Sequence, residues 1–297
     1  MLPPFLQPND QIRIVSPSGF INPDYIYGAT KALSTWGLNV SEGAFSRLEY
    51  GRFAGTKEQR IANLQQALDD PKVKAILCSR GGYGLANIID KLDFTAFAKS
   101  PKWLIGFSDI TILHNAISNL GIASVHAIMA KQLSELPADS EQVIQLRNLL
   151  FGQLPTYSLP PYELNRLGNA EGKLVGGNLS VLMGLRGSPF EPDYSKAILF
   201  IEDIGEEPYH IDRMLQNLRF SGVLAQLSGL VVGHFSECEE DSLMMQTIPQ
   251  IIHSAVNEYS YPVCFNFPAG HVDYNLPLIM GANIGLEVKE NGVQLKF

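Results

Sequence analysis

Apolar positions along the first half of the chain follow two alternating rhythms, short unbroken runs and longer segments in which they return every three or four residues. The short runs predict strands at 11–16, 38–40, 73–78, 103–107 and 123–126, and the amphipathic segments predict helices at 24–36, 57–68 and 109–119. Strands and helices in this alternation predict an open, mostly parallel sheet. Beyond residue 170 the same reading gives strands at 172–175, 197–201, 227–232 and 262–265, with helices at 178–185, 208–218 and 243–256. The chain then ends in a hairpin, 283–289 and 293–297, about Glu290-Asn291-Gly292, because Asn-Gly favours a tight turn. Between the halves, 154–170 carries Pro155, Pro160 and Pro161 and holds no sustained period. The predicted organisation is therefore α/β, with an N-terminal mostly parallel open-sheet domain at 1–153, a linker at 154–170, and a second α/β domain with a mixed sheet at 171–297.

Composition narrows the function classes. A chain of 297 residues with 45% hydrophobic and 18% charged residues can bury a large core, which argues against disorder. The formal charge of −8, with no basic cluster, disfavours nucleic acid or an anionic membrane as the partner. Three cysteines, Cys78, Cys238 and Cys264, stand in no metal-like or redox-like spacing and point to a reducing compartment. The first residues lack the pattern of a secretory signal, and no segment approaches ~20 unbroken apolar residues, so a cytoplasmic location without membrane contact is expected.

Chemistry enters at Ile105-Gly106-Phe107-Ser108-Asp109-Ile110-Thr111, where a strand end, a serine and a helix start follow one another. A serine on such a turn stands beyond the sheet edge, and the N–H of the next residue points toward an oxyanion formed on a substrate. Ser108 also suits a plain helix cap, and the local motif, which departs from G-x-S-x-G at Ile110, leaves both roles open. The turn Ser79-Arg80-Gly81-Gly82-Tyr83-Gly84 follows the strand ending at Cys78. Its glycines let backbone approach a ligand and turn N–H groups inward, which suits an anion nest or half of an oxyanion hole, or a simple strand-to-helix connection. It lacks the Gly-Lys-Ser/Thr of a phosphate-binding Walker loop.

In the second half, Leu199-Phe200-Ile201-Glu202-Asp203 ends an apolar strand in carboxylates, at the edge where α/β folds place ligands. Glu206 and Glu207 read as solvated residues at a helix start. Phe267-Pro268-Ala269-Gly270-His271 places a histidine on a loop after a strand, making His271 the best base among six histidines. His114 and His253 fall on helices, where packing is the commoner role, and His126, His210 and His234 stay open. No pair shows a zinc-ligand spacing, so neither metal nor other cofactor is expected. A hydroxyl, an imidazole to take its proton and a carboxylate to fix the imidazole make Ser108, Glu202 and His271 chemically complete.

Several of these segments form a recognisable set: Arg80-Gly81-Gly82-Tyr83-Gly84, Gly106-Phe107-Ser108-Asp109-Ile110-Thr111, Val175-Gly176-Gly177-Asn178-Leu179, Leu199 to Asp203, Tyr209 with Arg213, and Ala269-Gly270-His271. In their order and separations the sequence resembles the LD-carboxypeptidases, serine peptidases that include muramoyltetrapeptide carboxypeptidase and the microcin C self-immunity hydrolases. The resemblance implies Ser108 as nucleophile with Glu202 and His271 completing a triad. It also implies oxyanion donors from the backbone of Asp109 and of the glycine turn at Gly82, and a homodimer with the cleft between the two domains. The implied reaction releases terminal D-alanine from a murein tetrapeptide during cytoplasmic cell-wall recycling. Arg80 and Tyr83 are the candidate substrate-binding residues, with Arg80 equally suited to anchoring its loop. Two departures stand out: His126-Ala127-Ile128 where His-Gly-Pro is common, and Gly187-Ser188-Pro189 where Gly-Thr-Pro is usual. Competing expectations are a hydrolase of acyl-sulfamoyl or phosphoramidate nucleotides and a non-catalytic small-molecule receptor.

Overall fold

The computed structural model describes residues 1–239 and 241–297. The first sheet draws on β1 (Gln11–Val15), β2 (Asn39–Glu42), β3 (Val73–Cys78), β4 (Trp103–Gly106) and β5 (Ser124–His126). Helices α1 (Pro23–Thr35), α2 (Lys57–Asp69), α3 (Thr95–Lys99) and α4 (Thr111–Asn119) connect these strands, and α5 (Ala130–Glu135) and α6 (Glu141–Leu150) follow β5. Local chemistry sets the helix starts: Asn22 caps α1 ahead of Pro23, and Thr56 and Gln59 form a reciprocal capping box on α2.

Every residue of β3 except Lys74 is buried, as a parallel strand covered on both faces requires. Its side chains alternate between two cores. Ala75 and Leu77 join Ile12, Ile14 and Val125 in one, while Ile76 and Cys78 join Val15, Leu104 and Leu113 in the other. Burying each of the isoleucine, leucine and valine side chains among them contributes about 1.5–3 kcal/mol. Parallel pairing runs in the order β2-β1-β3-β4-β5. Because β1 has β2 on one side and β3 on the other, the winding reverses there, and a crevice opens outside the carboxyl ends of the strands.

The second half contributes β6 (Thr156–Leu159), β7 (Gly168–Asn178), β8 (Ile198–Ile204), β9 (Gly229–Ser236), β10 (Val263–Cys264), β11 (Leu278–Met280), β12 (Asn283–Lys289) and β13 (Gly292–Lys296). Its helices are α7 (Leu179–Met183), α8 (Pro208–Phe220), α9 (Val223–Gln226) and α10 (Ile248–Ala255). Seven strands form a mixed sheet in the order β10-β9-β8-β7-β12-β13-β6, parallel from β10 to β7 and antiparallel beyond. The molecule is thus a two-domain α/β protein with one mostly parallel and one mixed sheet.

Two segments differ from the sequence reading. Residues 154–170, expected as a linker, contain β6 and the start of β7. β6 escaped notice because it is a short edge strand flanked by prolines, and only Tyr157 turns fully inward, its hydroxyl donating to the Pro277 carbonyl at 2.7 Å. The other is β11, which lies within 171–297 yet pairs antiparallel with β5 in the first sheet. Ile279 enters the first sheet's core while Leu278 and Met280 enter the second sheet's, so this short strand is buried between the two halves.

Candidate active site

β4 ends at Gly106, and two residues later Ser108 adopts φ +66°, a left-handed backbone that a residue with a side chain enters only at a cost. A 3₁₀ turn over Ser108–Ile110 leads straight into α4. No side-chain hydrogen bond caps either element, so the capping role that the local sequence left open is not the one Ser108 performs. The strained turn instead carries its hydroxyl to the crevice at the carboxyl edge of the sheet.

The glycine turn after β3 lies against this serine. A Cβ on Gly81 would stand 2.8 Å from Ser108 Cβ and 3.0 Å from its Oγ, so only glycine allows that approach. Gly82, at φ +96°, needs glycine for its conformation instead. Two buried charged side chains pin these turns together. The Asp109 carboxylate accepts the Leu85 N–H at 2.9 Å, and the Arg60 guanidinium donates to the carbonyls of Pro17 at 3.0 Å and Gly84 at 2.8 Å. Burial pushes the Asp109 carboxyl above its ordinary range, and the Leu85 bond and the Arg60 charge oppose that shift.

Glu202 arrives from β8, whose residues are buried through Asp203, and it is itself fully buried. His271 lies on the loop between β10 and β11, and its Nδ1–H donates to Glu202 Oε2 at 2.7 Å. Backbone must come close for this: a Cβ on Gly233 would meet the Ala269 carbonyl at 2.6 Å. With Nδ1 engaged, Nε2 remains to accept a proton. Burial pulls the His271 pKa down, but the Glu202 hydrogen bond and the charges of Glu202, Asp203 and Glu237 outweigh it and leave it above the ordinary value. The imidazole edge meets the ring of Phe107, next to Ser108 in sequence, at 4.9 Å between centroids. Ser108 and His271 line the same cavity, of about 550 Å³, together with Ser79, Arg80, Gly81 and Gly82.

The halves are joined through Val175-Gly176-Gly177-Asn178 at the end of β7. Asn115 of α4 donates to the Gly176 carbonyl at 3.0 Å, and the Asn178 N–H donates to Thr111 Oγ1 at 3.0 Å. A Cβ on Gly177 would be 2.4 Å from Thr111 Oγ1, and one on Gly176 would be 2.1 Å from the Phe200 carbonyl, which accounts for both glycines. Asn178 Nδ2 also donates to Asp203 at 2.8 Å, linking α4, through Thr111 and Asn178, to the strand that carries Glu202. Burial raises the Asp203 pKa to about 6, despite the donors around it.

Other residues singled out in the sequence fall differently. Arg80 lines the cavity but donates Nη1 to the Phe20 carbonyl at 2.6 Å, so it also anchors its loop. Tyr83 packs against Phe53, half exposed, and is not among the residues lining the cavity. His114 is buried between Ser124 Oγ and the Gly106 carbonyl, each at 2.8 Å, and burial lowers its pKa to about 4. His126 is fully buried between Phe107 and Phe200, with its pKa driven well down by the same cause. His210 pairs with Glu206 on the surface of α8, and His234 is half buried away from the cavity lining. Among the described residues no three His, Cys, Asp or Glu side chains gather as a metal site.

Residues 12–127 match the model of the LD-carboxypeptidase N-terminal domain, and residues 171–286 match that of the LD-carboxypeptidase C-terminal domain. The chain belongs to the LD-carboxypeptidase family. Its relatives include the murein tetrapeptide carboxypeptidase of Pseudomonas aeruginosa, 31% identical over 95% of this chain and 94% of the relative. A Bacillus subtilis protein named as a probable murein peptide carboxypeptidase is 34% identical over 97% of this chain and 92% of its own. Among solved structures, the muramoyltetrapeptide carboxypeptidase of Oxalobacter formigenes superposes with a TM-score of 0.87 at 31% identity, covering 96% of this chain and 97% of its own. The self-immunity protein MccF, solved with glutamyl sulfamoyl guanosine, gives a TM-score of 0.88 at 21% identity over 100% and 98% of the two chains, a likeness of fold alone.

In this member of the family, the departure at Ala127-Ile128 is absorbed by the core: both side chains are fully buried, and the cavity is lined by the residues that follow, Met129, Lys131 and Gln132. Sequence reasoning passed over Arg60, Thr111 and Lys131. Arg60 had left a signal, since it lies on the face of α2 that Leu64, Ala67 and Leu68 bury, where a charge requires buried partners.

Proposed function

We propose that this chain is a serine carboxypeptidase that releases terminal D-alanine from murein tetrapeptide. The observation that carries the proposal is the shared cavity of Ser108 and His271, with the imidazole oriented through Nδ1 by the buried Glu202. Relatives at 31% and 34% identity along nearly the whole chain, named for murein peptides, support the substrate class.

Ser108 Oγ attacks the carbonyl carbon between the L-centre of diaminopimelate and D-alanine, while His271 Nε2 takes the hydroxyl proton. The tetrahedral oxyanion is met by the N–H groups of Asp109 and Gly82. His271 returns the proton to the departing amine, and D-alanine leaves with an ester on Ser108. Water, deprotonated by the same imidazole, then cleaves the ester and frees the tripeptide. Glu202 stabilises the imidazolium in each half and holds the productive tautomer. The family resemblance adds a homodimer and a cytoplasmic setting, which light scattering and cell fractionation test separately.

Purified protein is assayed for D-alanine release from murein tetrapeptide, beside Ser108→Ala and beside an aminoacyl-sulfamoyl adenosine as rival substrate. Release that depends on Ser108 is expected. Preferential hydrolysis of the nucleotide would transfer the reading to self-immunity chemistry, and absence of both products would favour a receptor.

A further inference from the structure

The wall of the Ser108 cavity carries two cations, Arg80 and Lys131, and no acidic residue lines it among those described, although the chain as a whole is at −8. Strand order places the cations on opposite sides of the nucleophile, because Arg80 follows β3, Ser108 follows β4 and Lys131 follows β5. Lys131 stands on a rigid support, since α5 packs so closely on α1 that a Cβ on Gly28 would overlap Ser134 Oγ. Its ammonium lies 5.9 Å from the centre of the Tyr25 ring, and no carboxylate is within 4.0 Å of it among the described residues.

We propose that Lys131 is a specificity-determining residue that binds a free carboxylate on the acyl side of the scissile bond, opposite the leaving D-alanine. The inference rests on the carboxypeptidase reading above. Arg80, whose neighbour Gly81 touches Ser108, is near enough to meet the leaving group's own carboxylate, a few bonds from the attacked carbon. Lys131, exposed at the rim, faces the more distant part of the stem peptide. Two carboxylates of a murein tetrapeptide supply the required chemistry there, the α-carboxylate of the γ-linked D-glutamyl residue and the distal carboxylate of diaminopimelate.

The test compares wild type, Lys131→Gln and Lys131→Arg on three peptides: the tetrapeptide and its two forms amidated at one or other of these carboxylates. Lys131→Gln should raise KM for the tetrapeptide about tenfold, as loss of one charge-assisted contact implies, with most of the effect outside kcat, and Lys131→Arg should restore much of it. The amidated peptide on which wild type already shows this loss, and on which Lys131→Gln adds none, identifies the carboxylate. Equal losses on all three peptides, or none, would overturn the proposal. The same comparison by calorimetric titration in a Ser108→Ala background reads affinity without turnover. Lys131-dependent binding by a protein that cleaves no tetrapeptide would keep the carboxylate site and remove the peptidase reading, whereas absence of binding removes the Lys131 proposal itself.

Discussion

The backbone of Gly270 presses directly on Glu202: a Cβ there would stand 2.9 Å from the Oε2 that receives the His271 bond and 3.0 Å from Glu202 Cβ. Gly270 also holds φ +121°, outside the range that side-chain-bearing residues adopt. Gly270→Ala is therefore expected to displace either the carboxylate or the histidine loop. It should lower kcat/KM by about a hundredfold and cost on the order of 1–3 kcal/mol of stability in urea titrations. Activity near that of wild type would mean that the close contact is not needed.

Glu202→Gln keeps the volume of the side chain but turns an acceptor of the Nδ1–H into a group that can present a donor. By analogy with carboxylate-to-amide changes in other triads, kcat should fall by about 10³–10⁴. Protonated His271 cannot act as base, so in wild type kcat/KM should rise with pH through a pKa above the ordinary 6.5, the direction its surroundings impose. Removing the Glu202 hydrogen bond and charge takes away the largest influences that raise that pKa and leaves burial opposed only by Asp203 and Glu237, so the residual activity of Glu202→Gln should have its acid limb at lower pH. Coincident limbs in the two profiles would show that Glu202 does not tune the imidazole.

Arg60 holds two carbonyls from the turns after β1 and β3, and it stacks over Phe53 with its guanidinium carbon 4.7 Å from the ring centre. Arg60→Met leaves those buried carbonyls and the Asp109 charge without their cation. The expected cost is about 2–4 kcal/mol by chemical denaturation. A change below about 0.5 kcal/mol would reduce Arg60 to a space-filling role.

Thr111→Val nearly preserves shape but deletes the acceptor for the buried Asn178 N–H. Stability should fall by about 1–3 kcal/mol, with kcat reduced because Asn178 also braces Asp203 beside Glu202. Unchanged melting and turnover together would show that the halves are held without this bond.

Much of this was legible in the sequence, and the parts that were not have physical reasons. The runs at 73–78 and 283–289 coincide with β3 and β12 because burial on both faces, or on one, writes a plain apolar pattern into the chain. Ser108, Glu202 and His271 stood out as candidates because each lies within or just beyond an apolar run, beside glycine or a charge, and such punctuation survives without coordinates. α5 and α6 went unpredicted, lying past the last clear strand in a stretch of mixed pattern. β11 could not be read because three residues carry no period, and its place is fixed by packing between two cores rather than by local preference. The orientation of Lys131 toward the cavity depends on how α5 seats on α1, a tertiary fact. Tyr83 shows the converse error: a position next to a glycine turn did not bring its ring to the cavity lining.

The central claim is that Ser108 is a nucleophile activated by His271. Incubating the protein with a fluorophosphonate and mapping the adduct by peptide mass spectrometry tests it most directly. A single adduct on Ser108 is predicted, abolished in Ser108→Ala and slowed by orders of magnitude in His271→Ala. Labelling that persists at equal rate without His271, or that falls on another residue, would contradict the account.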